Sequence, residues 1–545
     1  MKKSTLLAIV SFVSAQSVFA QIDPKIQNIL NQVSPDAIKG NMTFLSDDLL
    51  AGRLPGTQGF DLAKKYMEAQ FISSGLKPAN GKSYIQEVPL ARAKVVANES
   101  SFVLVDGKKV TSLTYGREFF EYPYFDAAQS AVEAPLVFVG FGVNAPEFKY
   151  NDYQNVDVKG KIVVYINGAP NYLPDNEKAF YNTADSKYKE AIKQGAIGII
   201  TFSLPNERKS NWDGLVNRNK NGTVKWVNAD QTAGNSYPEL KAVAQFNNEN
   251  LDLLFEHAKT SITELKELAD QGKSKSFPLM LSAKMVVKTT IEKIPSANVM
   301  GYVEGSDPKL KNEYVVYTAH LDHLGVGKAI KGDSIYNGAH DDASGLAILL
   351  QIVKAYQSLP LRPKRSIIFA GVTGEEMGLL GSDYFVNHFP MKDGKIIANL
   401  AIDMPFFFHP VLDIVPYGAD HSSLGIQTKK AADMLDLKIS PDPFPEQVVF
   451  IRSDHYSFIK KGIPALFIKS GFMSTAGDPT DWSKADVAWR STTYHTPQDD
   501  MSQAFDFNAA TMHVKVNFLI GYMVANDDTA PYWNKGDFFG NKLSK

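Results

Sequence analysis

The 545-residue sequence predicts an α/β fold, in which a mostly parallel mixed sheet carries helices on both faces and a β-rich α+β unit is inserted. Three observations support this prediction. The chain is longer than one hydrophobic core accommodates. From residue 291 onward, apolar strand-like runs alternate with helical patterns, which favours parallel strands joined by helical crossovers. Residues near 130–290 show a separate β–α–β alternation of their own.

The last part of the chain supplies the elements of the main sheet. Its run at 346–356 has the length and composition of a buried helix. The strand candidates are the apolar runs at 313–319, 365–372, 396–403 and 464–471. In open α/β sheets the chemistry lies beyond the carboxyl ends of the strands. We therefore expect functional side chains to follow these runs.

The domain organisation follows from where the pattern changes. We assign residues 1–20 to a signal peptide and 21–128 to the first part of the main domain. The inserted unit takes residues 129–290, and the rest of the main domain takes 291–545. A chain of this length is expected to divide into two or three such units.

The first twenty residues have the pattern of an export signal. Lys2 and Lys3 precede an apolar run from Leu6 to Val18, and Ala20 ends a small-residue cleavage pattern. The apolar run is shorter than the roughly 20 residues that span a bilayer. We therefore expect an exported protein, periplasmic or secreted, with no stable membrane insertion after the signal is cleaved; an uncleaved anchor is the alternative that the short run disfavours.

Composition excludes several classes of function. The net charge of −2 offers no basis for nucleic-acid binding, and 44% hydrophobic residues is ordinary for a globular protein. The chain has no cysteine. Disulfides, thiolate nucleophiles and thiolate metal ligands are therefore excluded.

Histidines and carboxylates cluster at the predicted strand ends and helix entrances. The segments that carry them are AHLDHLG at 319–325, NGAHDDASG at 337–345, FAGVTGEEMGLLGS at 369–382, NLAIDMP at 399–405 and YHTPQDD at 494–500. Imidazole and carboxylate groups gathered at one sheet edge are typical ligands of zinc and similar divalent ions. Together the segments predict a two-metal hydrolase.

The residues themselves leave several roles open. Asp322 is placed to accept a hydrogen bond from His320, and Gly338 and Gly345 suit a closely approaching backbone. Either Asp341 or Asp342 could bridge two metals while the other caps the following helix. The same ambiguity holds for the adjacent glutamates at 375 and 376, of which one would bind metal and the other act as general base.

In order along the chain, the motifs HxD, DDASG, EE-GLLGS, NLAIDM, RSDH and YHTP resemble those of the M28 family of zinc peptidases. The stretch at 45–67 is similar to the N-terminal region of its exported bacterial members. Residues 130–290 look like the protease-associated domain that many members carry. The resemblance therefore implies a zinc exopeptidase type of fold with this inserted domain.

The resemblance also implies a role for each matching residue. Two zinc ions would be bound per chain, with Asp341 bridging them. The other ligands would be His320 and Asp403 on one ion, and Glu376 and His495 on the second. Asp322 would orient His320, Glu375 would be the general base acting on the bridging water, and Tyr494 would contact the tetrahedral intermediate.

Peptides are the substrates that the resemblance implies, with an aminopeptidase as the leading reading. A carboxypeptidase of the same fold would need a basic pocket for the terminal carboxylate. Arg452 and Lys469 are candidates for that pocket, although the sequence shows no evident arginine cluster. A glutaminyl cyclase is a third possibility, but such enzymes usually lack the inserted domain.

One position departs from the family's pattern. His340 precedes Asp341, where relatives commonly have a non-basic residue. His340 could support a ligand, be a spare ligand or lie on the surface, and because a single histidine is seldom a ligand we favour the surface interpretation. The same interpretation applies to His323 and to His455, which lies in the pocket-lining segment 452–458.

Overall fold

The computed structural model describes residues 22–205 and 211–544. The predicted signal peptide, residues 1–20, lies outside the described residues. Two large sheets organise the described part of the chain. Within it, no helix is both long enough and apolar enough to cross a membrane.

The first sheet has nine strands and is mixed, as the sequence predicts. Its strands are Lys77–Pro78, Ile85–Glu87, Ala297–Val303, Glu313–His320, Ser366–Val372, Lys395–Ala401, Asp413–Tyr417, Lys438–Ile439 and Ala465–Ser470. The four central strands run parallel, in the spatial order 366–372, 313–320, 395–401 and 465–470. On both sides of this centre the next pairing is antiparallel. The four central strands are therefore parallel and are flanked by an antiparallel strand on each side, and the edge pair Asp413–Tyr417 and Lys438–Ile439 is again parallel.

Helices cover both faces of the first sheet, because its central strands are apolar on both sides. Val315 and Tyr317 point into one core, and Tyr314 and Val316 point into the other. The helices associated with this sheet are Pro24–Leu30, Pro35–Leu45, Gln58–Ser73, Ser344–Gln357, Leu380–Asn387, Leu424–Met434, His455–Ile459, Trp482–Thr492, Phe507–Asn526 and Phe538–Leu543. The helix at 346–356 predicted from the sequence is thus present.

The second sheet has ten strands. They are Leu90–Val95, Ser101–Asp106, Lys109–Leu113, Phe119–Glu121, Gln129–Val139, Ile162–Ile166, Gly198–Phe202, Thr223–Trp226, Val243–Phe246 and Ser276–Ile294. The helices along this stretch are Asp175–Asn182, Ala184–Lys193, Trp212–Lys220, Asp252–Phe255 and Ile262–Asp270. Four of the strands precede residue 129, so the second sheet begins earlier in the chain than the inserted unit predicted from the sequence.

The two sheets meet around Trp226. Its indole Nε1 donates a hydrogen bond of 2.8 Å to Asp383, which lies on the helix that follows the Glu375-Glu376 pair. Asn235 Nδ2 and Lys460 Nζ donate to the same carboxylate, at 3.0 and 2.9 Å. One buried carboxylate therefore ties the second sheet to the helix that follows the Glu375-Glu376 pair.

Candidate metal centre

The predicted ligands gather at one edge of the first sheet. His320 is the last residue of its strand, and Asp403 lies just beyond Lys395–Ala401. Glu375 and Glu376 follow the strand that ends at Val372. These three strands are adjacent and parallel, so their carboxyl ends are brought together.

Asp341 lies between two groups of potential metal ligands. In the first group, His320 Nε2 is 2.9 Å from Asp341 Oδ1 and 3.9 Å from Asp403 Oδ1. In the second group, the other oxygen of Asp341 is 3.2 Å from His495 Nε2. Glu376 belongs to the second group, because its two oxygens lie 2.7 Å from His323 Nδ1 and 3.1 Å from His495 Nε2.

The arrangement fits two metal ions. Donor atoms of His320, Asp341 and Asp403 lie within 4.8 Å of one another, and so do those of His323, Asp341 and Glu376. The buried imidazole nitrogens that face these groups, together with Glu376 Oε1 and Asp403 Oδ1, approach one another closely, but none of them has a partner with hydrogen-bond geometry among the described residues. Buried polar atoms without partners are costly unless something else binds them. A nitrogen- and oxygen-only donor set suits zinc.

The interpretation of His323 as a surface histidine is wrong. Its side chain is fully buried, and its Nδ1 atom contacts Glu376. The sequence segment AHLDHLG carried the signal, since the second histidine stands one residue beyond the HxD motif. The geometry places His323 among the candidate ligands, where it stands beside Glu376 and Asp341.

Asp342 supports the centre, while Asp341 faces it. The Asp342 carboxylate accepts backbone hydrogen bonds from His320, Gly345 and Met404, at 3.2, 2.9 and 3.2 Å. It therefore fixes the start of the helix Ser344–Gln357 and two of the strand ends. Gly345 is required there, because a Cβ atom would collide with the Asp342 carboxylate and with the carbonyl of Ile402.

Asp499 holds the backbone on the other side of Asp341. Its two carboxylate oxygens accept the N–H groups of His340 and Asp341, at 2.9 and 3.0 Å. Gln503 Nε2 donates a further bond of 2.7 Å to the same group. Burial raises the pKa of Asp499 to about 6. This supporting residue was not singled out from the sequence, although it lies in the segment YHTPQDD.

Arg53 connects the N-terminal segment to the metal centre. Its buried guanidinium donates to the carbonyls of Leu321, Asn337 and Gly338, at 3.0, 2.5 and 3.1 Å. Those carbonyls belong to the two loops that carry His320, His323 and Asp341. Arg53 bonds backbone atoms and no ligand side chain, so metal-ligand motifs in the sequence do not predict its role.

The geometry refines the prediction for Asp322. His320 Nδ1 lies 3.0 Å from the backbone carbonyl of Asp322, while the nearest carboxylate oxygen is 3.9 Å away. The carboxylate instead accepts the backbone N–H groups of Glu375 and Glu376, at 3.2 and 3.4 Å. Residue Asp322 therefore contacts the histidine with its backbone and holds the glutamate pair with its side chain.

Glu375 and Tyr494 line the same pocket as Asp341 and Asp403. Within the described residues, the Glu375 carboxylate accepts no hydrogen bond. Burial raises its pKa well above the ordinary value, and the nearby charges of Asp403 and Glu376 add to this against the opposing effect of His320. The Tyr494 ring stacks on His495 at a centroid distance of 3.8 Å, and burial raises the pKa of its hydroxyl. The hydroxyl is therefore protonated and can donate.

His340 and His455 are also buried, so the surface interpretation is wrong for both. The His340 ring packs edge-on against Trp489 and Phe408, at 4.9 and 5.3 Å between centroids, and burial lowers its pKa well below the ordinary value. The Nε2 atom of His455 lies 2.7 Å from the carbonyl of Phe450, and burial lowers its pKa to about 4. Both rings are neutral and belong to the packing around the site.

The family assignment rests on a comparison of the sequence with family models. Residues 298–519 match the model of peptidase family M28. The chain carries a peptidase family M28 domain. This match contains every residue of the two ligand groups, and it begins at the strand Ala297–Val303 of the first sheet.

Relatives with curated names match over parts of the chain. Aminopeptidase NAALADL1 of Mus musculus is 34% identical over 143 residues, which cover 25% of this chain and 17% of that protein. A probable leucine aminopeptidase 2 of Aspergillus oryzae is 30% identical over 254 residues, 44% of this chain and 45% of its relative. The chain thus spans less than half the length of these relatives.

A solved structure supports the fold over nearly the whole chain. The aminopeptidase from Aneurinibacillus sp. strain AM-1 superposes with a TM-score of 0.51 at 20% identity, covering 93% of this chain and 97% of that one. At this identity the similarity shows the fold alone. The mixed α/β class predicted from the sequence is confirmed.

Proposed function

We propose that the chain is an exported di-zinc aminopeptidase, which removes residues from the free N-terminus of peptides. The observation that carries this proposal is the position of Asp341 between two ligand groups and on the wall of the pocket that Glu375 and Asp403 also line. Metal hydrolases with two ions use such a shared carboxylate to hold the ions close together. The M28 domain and the aminopeptidase names of its relatives support the same reaction.

The donor set divides between two ions. His320 and Asp403 would complete the first site and Glu376 and His495 the second, with Asp341 shared and His323 available as a further ligand of the second. Zinc bound there would polarise the scissile carbonyl and lower the pKa of water. Water of lowered pKa needs a proton acceptor, and Glu375 is the carboxylate free to serve.

The protein's own groups would then carry the proton and the developing charge. Glu375 accepts the proton of the attacking water and delivers it to the leaving amine. Tyr494, whose hydroxyl is kept protonated by burial, donates a hydrogen bond to the oxyanion of the tetrahedral intermediate. The carboxylates around the pocket attract the charged α-amine of the substrate, which is the feature that an aminopeptidase requires.

Export is part of the proposal and has separate support. Lys2, Lys3 and the apolar run to Val18 precede a small-residue cleavage pattern that ends at Ala20. N-terminal sequencing of the protein recovered from the periplasm or medium should therefore begin at Gln21. Recovery of full-length chain in the cytoplasm alone would refute export without affecting the proposed reaction.

The reaction is tested with one mixed-sequence peptide in two forms, with a free and with an acetylated N-terminus. Zinc-loaded protein should shorten the free peptide stepwise from its N-terminus and leave the acetylated form intact, as read by mass spectrometry. Loss from the C-terminus of both forms would instead indicate a carboxypeptidase. No cleavage of either form by zinc-loaded protein would refute a peptidase function.

A further inference from the structure

The pocket at the metal centre has a basic end. Its acidic side consists of Asp341, Glu375 and Asp403, which the proposed mechanism uses. The same pocket is also lined by three cations, Arg452, Lys469 and Arg490, which together are called its basic end. Arg452 and Lys469 are the two residues that the sequence offered for a basic pocket, and the fold adds Arg490 to them.

Lys469 is the most informative of the three. It lies on the central strand Ala465–Ser470, and only 9% of its surface is exposed. Within the described residues its ammonium forms no hydrogen bond and no ion pair, and it lies 5.1 Å from the centroid of the Phe467 ring. Burial, with Arg490 nearby, lowers the pKa of Lys469 to about 8. A buried ammonium without a partner is costly and is rarely kept without a use.

Arg490 and Arg452 leave donors free beside it. Arg490 Nε donates to Asp486 at 2.8 Å, and its two terminal nitrogens have no recorded hydrogen bond among the described residues. Arg452 makes one weak contact, with Nη1 at 3.4 Å from the carbonyl of Gln447. Asp486, in the adjoining part of the cavity, pairs with Arg490, while the charges of Asp403 and Asp341 act on Lys469 without contacting its ammonium.

We propose that this basic end binds a carboxylate of the substrate and that the enzyme therefore prefers peptides that present one. The inference rests on the proposed aminopeptidase function and adds the substrate class. Hydrogen bonds between cationic donors and a carboxylate are among the stronger polar contacts in proteins. A site built around such donors discriminates against a neutral analogue, because its own buried charges would then lack partners.

Two parts of a peptide could supply the carboxylate. One is the side chain of an N-terminal glutamate or aspartate, which would enter the pocket while the scissile bond lies at the metal centre. The other is the terminal carboxylate of a short peptide. Both sources present a carboxylate to the same cations. They are distinguished by pairs of substrates that differ only in whether the side chain or the C-terminus carries that carboxylate.

The test compares two matched pairs of substrates with zinc-loaded protein near about pH 7, where the Lys469 ammonium is charged. Glu-Ala-Ala-amide against Gln-Ala-Ala-amide tests the side chain, and Leu-Ala against Leu-Ala-amide tests the terminal group. We expect kcat/KM to favour the acid by about tenfold or more in one pair, because an unpaired buried charge disfavours the neutral analogue. Ratios within about twofold in both pairs would overturn the proposal.

Variants connect the preference to this pocket. Lys469→Met should lower the preferred acid-to-amide ratio by about tenfold, because it removes the buried ammonium. Lys461→Met is the matched control, since Lys461 is an exposed lysine of the preceding turn, and it should leave the ratio unchanged. An unchanged ratio in Lys469→Met, with zinc content and melting temperature retained, would refute the role of the pocket.

Calorimetry separates this inference from the proposed function. L-glutamate should bind zinc-loaded protein more tightly than L-glutamine if the side chain is recognised. If the terminal group is recognised, zinc-loaded Glu375→Gln protein should bind Leu-Ala more tightly than Leu-Ala-amide. Such a difference, where the unmutated protein cleaves no peptide, would refute the aminopeptidase and retain the carboxylate pocket. Cleavage of all four peptides with no preference, and no difference in binding, would refute the carboxylate pocket and retain the aminopeptidase.

Discussion

At the scale of single residues, the adjacent glutamates Glu375 and Glu376 lie in different surroundings. Glu376 points at His323 and His495, with both of its oxygens within 3.1 Å of an imidazole nitrogen. Glu375 points into the pocket, and within the described residues its carboxylate accepts no hydrogen bond. The residue pattern left open which glutamate is the ligand. The contacts support Glu376 as the ligand and Glu375 as the base.

Glu375→Gln should therefore retain zinc and lose turnover. Removing a general base typically costs about 10²–10⁴-fold in rate. Glu376→Gln is the matched comparison, since it should lower the zinc content as well, because a neutral amide is a poorer ligand. Zinc by mass spectrometry of the metal and kcat with a free peptide measure the two effects. Full activity in Glu375→Gln would show that another group accepts the proton.

The titration of Lys469 makes the substrate preference depend on pH. Its neighbours are the cation of Arg490 and the carboxylates Asp403, Asp486 and Asp341, with burial as the largest influence. Because its pKa is lowered to about 8, the ammonium is charged below that pH and loses its proton as the pH rises through it.

We expect the acid-to-amide ratio of kcat/KM to fall between about pH 7 and pH 9.5, because the pocket then loses one of its three positive charges. Lys469→Arg is the control, since a guanidinium stays protonated throughout this range and the ratio should not fall. The same decline in both proteins would show that another group controls the preference.

At the scale of elements, the N-terminal segment positions the loops of the metal centre through Arg53. Its guanidinium bonds the carbonyls of Leu321, Asn337 and Gly338 and is fully buried. Gly338 adopts a φ of 63°, and a Cβ atom there would collide with Asp341 and His323. The chain therefore has little freedom to satisfy these carbonyls in another way.

Arg53→Met should lower the free energy of unfolding by about 3 kcal/mol or more, because several buried carbonyls lose their donor. Zinc affinity should fall as well, since the loops that carry the ligands are no longer held. Arg362→Met serves as the control, because Arg362 has an exposed side chain and one ion pair of 3.4 Å. Thermal unfolding and zinc titration measure both effects. Unchanged zinc affinity in a destabilised Arg53→Met would show that the loops hold their geometry without it.

The strand ends of the first sheet could be predicted from the sequence, but the supporting contacts could not. His320, Glu376 and Asp403 follow short apolar runs, and that local pattern is sufficient to place them at one edge. Arg53 and Asp499 bond backbone groups far away in the chain, and such bonds leave no periodic or compositional mark. Lys469 and Arg490 are 21 positions apart, so the basic end of the pocket likewise depends on tertiary structure.

At the scale of the whole molecule, the part of the chain around the second sheet contacts the first sheet and its helices near Trp226 and near Phe538. Around Trp226 the junction is polar and aromatic, since the indole bonds Asp383 and lies edge-on to Tyr384 at 5.6 Å. At the C-terminus, Phe538 packs edge-on against Phe180 at 5.4 Å, and Lys542 donates to Tyr181 at 2.8 Å. The first junction is the nearer to the chemistry in sequence, because Asp383 stands seven residues after Glu376.

The Trp226 junction should couple the stability of the two sheets. Trp226→Phe keeps most of the aromatic packing and removes the indole donor, which should cost about 1.5–3 kcal/mol because the lost bond was to a buried carboxylate. Trp212→Phe is the matched control, since the Trp212 indole donates a hydrogen bond of 2.8 Å to the carbonyl of Gly116, far from Asp383 in the chain.

Hydrogen exchange distinguishes the two variants. In Trp226→Phe it should accelerate in both Thr223–Trp226 and Leu380–Asn387. In Trp212→Phe, hydrogen exchange should accelerate around Gly116, while Leu380–Asn387 stays protected. Unchanged exchange at Leu380–Asn387 in Trp226→Phe would mean that the helix after the glutamate pair is held by the first sheet alone.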